Sequence, residues 1–229
     1  MKKEDLYNDL KRQILTMELE PGSSLDETRL SEQYAISRTP LRDVFRRLAG
    51  EGYLEIINNR GAMVSSMNHK TLRNFFLTAP MLYAAIGRLA AENASSIQID
   101  EMCQAQDKFR QAVTSLDTEG MVFWNDRYHN LMGQMADNPY LKPSYERLLI
   151  DHGRISQTFY RPRSDAMEHD LNEAVEHHDA MIKCIKSGNS EEMVELICEH
   201  WKLSKEHIEM YVRPDPLPLD MLSLETEKN

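Results

Sequence analysis

Two sets of residues in this chain have the type and spacing to do chemistry. Arg38, Arg42 and Arg46 recur at i, i+4 and i+8, which on a helix places three guanidiniums on one face within about two turns. Such a row can hold phosphates and, in a major groove, pair bidentately with guanine O6 and N7. The second set is built on histidine. Asn125 and His129 stand four apart, one above the other on a helix. His178 precedes Gly188 by about 10 residues and His200 follows it by about 12, or roughly 15 and 18 Å of helix, so an antiparallel hairpin turning at Gly188 brings both imidazoles to nearly one level. Three imidazoles and an oxygen donor suit Zn²⁺, Ni²⁺ or another divalent first-row ion. Plainer readings stand beside these: a solvated basic helix face, and histidines that only pack. A metal-dependent hydrolase is a further alternative, since a metal-bound water can attack an ester or lactone. Glu176 and Asp179 flank His178, but nothing in the sequence marks either as catalytic.

The arginine row needs a helix, and the sequence supplies its start. Ser37 or Thr39 can accept from the free N–H groups there, and Pro40 suits a first turn, where its missing donor costs nothing. Leu41, Val44, Phe45 and Leu48 form the stripe that turns inward. Upstream, a helix is expected from Glu4 to Met17, stopping before Glu20-Pro21-Gly22, and Asp26 should cap a short helix running to Tyr34. Ala35-Ile36 then forms a tight link. Helix, turn, helix is the order of a module that lays its second helix in the major groove. Downstream, Tyr53–Ile57 and Ala62–Val64 read as two strands around Asn58-Asn59-Arg60-Gly61, a wing whose tip presents Arg60 beside a glycine.

Composition sets the frame. With 229 residues, 41% hydrophobic, the chain can bury two cores. It has no apolar run long enough to span a membrane and no export pattern, so a cytoplasmic location is expected. Cys103, Cys184 and Cys198 lack metal or redox spacing and read as reduced core residues. The net charge of −10 is unevenly spread: residues 1–66 carry 10 Lys+Arg against 11 Asp+Glu, and the remainder 17 against 26. A nearly neutral first unit thus precedes an acidic second one. From Leu72 onward the pattern is helical throughout, with segments at about 71–95, 98–116, 119–136, 139–160, 168–187 and 190–212. The expected fold is mainly α: an N-terminal winged helix-turn-helix of three helices and a small β-wing (1–66), a linker (67–73), an all-α helical bundle (74–213) and a proline-containing, poorly ordered tail (214–229).

The first unit resembles the winged-helix domain of GntR-family bacterial transcription regulators. The resemblance rests on Pro21-Gly22, Leu25-x-Glu27, Leu30, the run Ser37 to Arg42, Leu48, Glu51-Gly52-Tyr53-Leu54 and Asn59-Arg60-Gly61. It implies operator contacts from Arg38, Thr39 and Arg42, with Arg60-Gly61 reaching the adjacent groove and Thr28 and Arg29 assisting; Ser37 and Arg46 complete the expected DNA face. Where the family usually has glycine, this chain has Ala35. The second unit is similar to the FCD effector domain of the FadR branch, through Asn125-x-x-Tyr128-His129, His178-x-x-Met181-Ile182, Ser187-Gly188-Asn189 and His200. That similarity implies a divalent ion, Zn²⁺ or Ni²⁺, on Asn125, His129, His178 and His200. Asp126, three before His129, is an alternative anionic ligand. The family's arginine and glutamate in the first effector-domain helix are replaced by Ala79 and Tyr83, so an anion clamp is sought in Arg127 or Arg154 beside Tyr83. His177 should point away from the metal.

The resulting expectation is a homodimeric transcription regulator, a repressor by preference, that reads a pseudo-palindromic operator. An organic or sugar acid bound near a metal in the helical domain would modulate it. A regulator that senses the ion itself is the nearest alternative.

Overall fold

A computed structural model describes residues 2–58, 61–161 and 165–212. Arg60 and the tail 214–229 lie outside them. Among the described residues the chain forms nine helices and one small sheet.

In the N-terminal unit, α1 (Lys2–Leu15) packs on α3 (Arg38–Glu51), with α2 (Glu27–Gln33) between them in sequence. Leu6, Leu10 and Ile14 of α1 meet Leu41, Val44, Phe45 and Leu48 of α3 in a fully buried cluster. The contact is reinforced at its rim. The Arg47 guanidinium lies 3.6 Å over the Tyr7 ring, and the Tyr7 hydroxyl donates to Glu51 at 2.6 Å. Asp26 caps α2, accepting from the N–H groups of Thr28 and Arg29. Ser37 occupies the N-cap of α3 without a side-chain hydrogen bond. After α3, Gly52 turns in the left-handed region, and β2 (Leu54–Ile57) pairs antiparallel with β3 (Gly61–Val64), Leu54 opposite Val64. The wing has a third strand that the sequence did not announce: β1 (Ser24–Leu25), two residues long, pairs on the far side of β3. A pair this short leaves no alternation to read.

Asn68 caps α4 (His69–Asn93) by accepting from the Thr71 N–H. The link between units therefore ends at residue 68, and 69–73, expected as linker, already belong to the helix. The bundle continues with α5 (Ser96–Thr114), opened by a Ser95/Gln98 capping box, α6 (Thr118–Ala136), α7 (Lys142–Phe159), α8 (Asp165–Ser187) and α9 (Ser190–Val212). The core runs along α4, α6 and α9, where Gly87 lets Ile197 and Met193 of α9 approach the α4 backbone. Gly188, at φ +69°, reverses the chain between α8 and α9. Among the cysteines only Cys184 is buried. Cys103 is half-buried and Cys198 exposed, so Cys198 is not a core residue. No helix among the described residues is long and apolar enough to cross a membrane.

Candidate functional site

Two sites take shape. On the winged-helix surface, Arg38, Arg42 and Arg46 project from the exposed side of α3, with Ser37, Thr39, Thr28 and Arg29 also exposed. A groove of about 560 Å³ separates this row from the wing; Glu27, Arg42 and Arg46 line one side, Ile56, Asn58 and Gly61 the other. Gly61 sits at φ +83°, a conformation that a side chain would strain. The sequence reading missed the partner of Arg42. Glu27 of α2 receives its Nε at 3.1 Å and its Nη2 at 3.0 Å, holding the guanidinium in one orientation. Arg46 pairs with Asp43 at 3.2 Å, and Arg38 makes no ion pair among the described residues.

In the helical bundle, His129 from α6, His178 from α8 and His200 from α9 converge, and one ligating atom from each lies within 4.8 Å of the others. His129 and His178 are about 1% exposed. Their surroundings fix them firmly. Tyr145 donates to the His129 carbonyl at 3.0 Å, and Tyr128 donates to the His178 carbonyl at 2.9 Å while stacking on the His178 ring at 4.2 Å. Gln106 sets the tautomer of His178. Its Nε2 donates to the Val175 carbonyl and to Asp179, which turns Oε1 toward His178 Nδ1 at 3.2 Å; Nδ1 therefore carries the proton and Nε2 presents a lone pair. Both ring nitrogens of His129, Nε2 of His178 and Nδ1 of His200 are buried without a hydrogen-bond partner. Burial, then the neighbouring imidazoles, pushes His129 and His178 well below the usual histidine range and His200 down to about 3. Neutral imidazoles with open lone pairs and a supporting amide are what a first-row divalent ion requires.

His178 and His200 open onto a cavity of about 30 Å³ walled by Phe75, Phe76, Phe109, Phe159 and Trp201, with Asn125 on its surface. A fourth imidazole, His152 of α7, lines it as well. The sequence reading missed His152, a lone histidine without ligand spacing. The structure shows its place through Tyr83, whose hydroxyl meets His152 Nδ1 at 2.7 Å, and through His129, 4.8 Å away ring to ring.

Residues 2–64 match the bacterial regulatory proteins of the gntR family, and residues 81–203, more than half the chain, match the FCD domain. The chain belongs to the gntR family of regulators, in its FCD-containing form. Over 209 residues it is 24% identical to the HTH-type transcriptional repressor RspR of Escherichia coli (strain K12), spanning 82% of this chain and 92% of that protein. It is 23% identical over 205 residues to the uncharacterized regulator YdhC of Bacillus subtilis (strain 168), covering 88% of each. Among solved structures, Escherichia coli McbR/YncC superposes with a TM-score of 0.77 at 21% identity, over 93% of this chain and 99% of that one. This gntR-family protein is a DNA-binding transcription regulator, and membership sets aside the hydrolase alternative.

Within the regulator, several expected residues fall elsewhere. Asp126 cannot replace Asn125 as a ligand: one residue further round α6, it faces the cleft toward α1 and Lys11, where burial raises its carboxyl to about 6. Arg127 forms an exposed ion pair with Glu101 at 2.8 Å, off the cavity. Tyr83 does not line the cavity but supports His152 from behind. His177 lies beside Glu173, its ring 5.7 Å from that of His200. Arg154 is neither a surface cation nor an effector clamp. It is fully buried and donates to the carbonyl and hydroxyl of Ser65, each at 3.0 Å, just after the wing. Its helix faces two ways. His152, Ile155, Ser156 and Phe159 of α7 line the cavity, while Ile150 enters the winged-helix core, Arg154 holds Ser65 and Gln157 donates to the Leu15 carbonyl at the end of α1.

Proposed function

We propose that this regulator is a homodimeric repressor whose hold on a pseudo-palindromic operator is set by a small organic or sugar acid bound in the histidine cavity. The observation that carries the reading is the double role of α7, which forms one wall of the cavity and also grips the DNA-binding unit. An acid that favours one position of α7 favours one position of the recognition helix, and it changes operator affinity by the difference in its own affinity for the two. A divalent ion, Zn²⁺ or Ni²⁺, held by His129, His178, His200 and the Asn125 amide oxygen, would supply positive charge where, among the described residues, no arginine or lysine lines the wall. On the DNA side, Arg38, Thr39 and Arg42 read base edges, Arg46, Ser37, Thr28 and Arg29 engage phosphates, and Gly61 with Arg60 brings the wing to the neighbouring groove.

Selection of bound duplexes from a random pool defines the operator. Its affinity is then measured with Zn²⁺ alone, with small carboxylic acids alone, and with both. Release that requires an acid supports the proposal. Release by Zn²⁺ alone favours the ion-sensing alternative, for which the partnerless histidine nitrogens speak. Operator affinity indifferent to every combination sinks both.

A further inference from the structure

Among the described residues, no carboxylate, guanidinium or ammonium lines the cavity beside the histidine triad. His178, His200 and His152 offer imidazoles there and Asn125 an amide, and an imidazole binds a metal ion only as the neutral base. Asp126 and Asp179, each one residue from a proposed ligand, are engaged elsewhere: Asp126 faces α1, and Asp179 holds Gln106 and Arg110. A divalent ion on this set would keep its whole double charge in a buried, largely aromatic surround, and a buried charge without a counter-charge is costly. An anion that enters with the ion offsets that cost.

The cavity also presents a donor for such an anion. The buried Tyr83 phenol stays protonated and has His152 Nδ1 as its partner, so it donates there. The imidazole proton of His152 therefore sits on Nε2, on the ring edge turned away from Tyr83, as an N–H on the cavity wall. Around it the surface is Phe75, Phe109 and Trp201, a poor setting for a ligand rich in hydroxyls. The present volume of about 30 Å³ holds roughly two or three waters. A larger body enters by displacing Phe76, Phe159 or Leu203, lining side chains that also reach solvent.

On the metal reading proposed above, we infer that Asn125 makes this a centre completed by an anion: the ion and a monocarboxylate with an apolar body bind together, the carboxylate also taking the His152 N–H. This narrows the effector class away from sugar acids. Asn125 becomes the residue that couples effector to metal, and His152, positioned by Tyr83, the one that reads the carboxylate.

The test titrates chelator-stripped, full-length protein with Zn²⁺ against a chromophoric competitor, without and with benzoate or gluconate. Benzoate is expected to tighten Zn²⁺ about tenfold or more, and Zn²⁺ to tighten benzoate by the same factor. Gluconate should have a much smaller effect. Asn125→Asp places the anion in the protein, so it should tighten Zn²⁺ without benzoate and remove most of the benzoate effect. His152→Ala should shrink the benzoate effect, and Tyr83→Phe, which keeps the packing but frees the tautomer, should shrink it too. Zinc affinity indifferent to benzoate, a larger response to gluconate, or a full benzoate effect in Asn125→Asp overturns the inference while leaving the metal reading intact. Wild-type protein that takes up no Zn²⁺, with or without benzoate, overturns the metal reading itself and this inference with it.

Discussion

On the exposed face of α3, two of the three arginines in the row are already partnered, Arg42 on Glu27 and Arg46 on Asp43. In the helical cavity, buried imidazoles are left with open nitrogens. Ordinary folding economy runs the other way, since surface ion pairs contribute little and buried polar atoms are expensive to leave alone. The contrast shows where each unit keeps its capacity to bind. A surface arginine can exchange a carboxylate for a phosphate at small cost, so prior pairing only orients it. A buried nitrogen cannot borrow water, so its vacancy must be built into the fold and braced from behind, as Tyr128, Tyr145 and Gln106 brace this one.

The sharpest way to break that contrast is His129→Ala. If the open nitrogens exist for a metal, the variant loses all stoichiometric Zn²⁺ in elemental analysis of untagged protein; Zn²⁺ retained at the wild-type ratio would make the vacancies a packing accident. Next is Arg154→Ala, which strands the Ser65 carbonyl and part of Asp151 in the interior between the units. It should lower the free energy of urea unfolding by about 3–5 kcal/mol, the usual result of removing one partner of a buried pair. A loss below 1 kcal/mol would mean that the junction is wetter than its burial implies.

Acid tests the same cavity without mutation. His152 titrates near 6.5 when unfolded and, because of burial, at about 4 when folded. Between those values the unfolded chain binds the extra proton, so stability is fully present above pH 6.5 and falls as pH drops toward 4. The change is on the order of 3 kcal/mol from this residue alone. A flat chevron-derived stability across that window in metal-free protein would contradict it. On the exposed side, Arg42→Ala should cost about 1–3 kcal/mol of specific operator binding, measured by fluorescence anisotropy. Glu27→Gln should cost less, because it loosens the arginine without removing it. The smallest effect is expected at Ala35. This residue sits at φ +48°, in the left-handed region that glycine adopts without strain. Ala35→Gly should raise thermal stability by about 1 kcal/mol. No gain would show that the turn's neighbours had already absorbed the strain.

The exposed site was more legible in the sequence than the buried one. The Asp26 cap, the Leu41/Val44/Phe45/Leu48 stripe and the arginine row are local patterns, and local chemistry writes them within a few residues. The histidine triad was legible because Gly188 turned a sequence interval into a spatial one. His152 carried no such signal: its meaning comes from Tyr83, 69 residues away. Asp126 and Asn125 differ by one step, about 100° of helix rotation, which decides between cleft and cavity and is finer than a spacing argument resolves. Arg154 was sought as an anion clamp, because its hold on Ser65 shows only once the two units are docked around it.

The two-faced α7 also limits how such a protein can drift. A substitution there that reshapes the cavity disturbs the seat of Leu15 and Ser65, so a new ligand preference gained on α7 arrives with altered control of DNA. Walls contributed by α4, α5 and α9, through Phe75, Phe109 and Trp201, pack in the cores of the bundle. Those helices are where descendants of this chain can change what they sense while keeping how they respond.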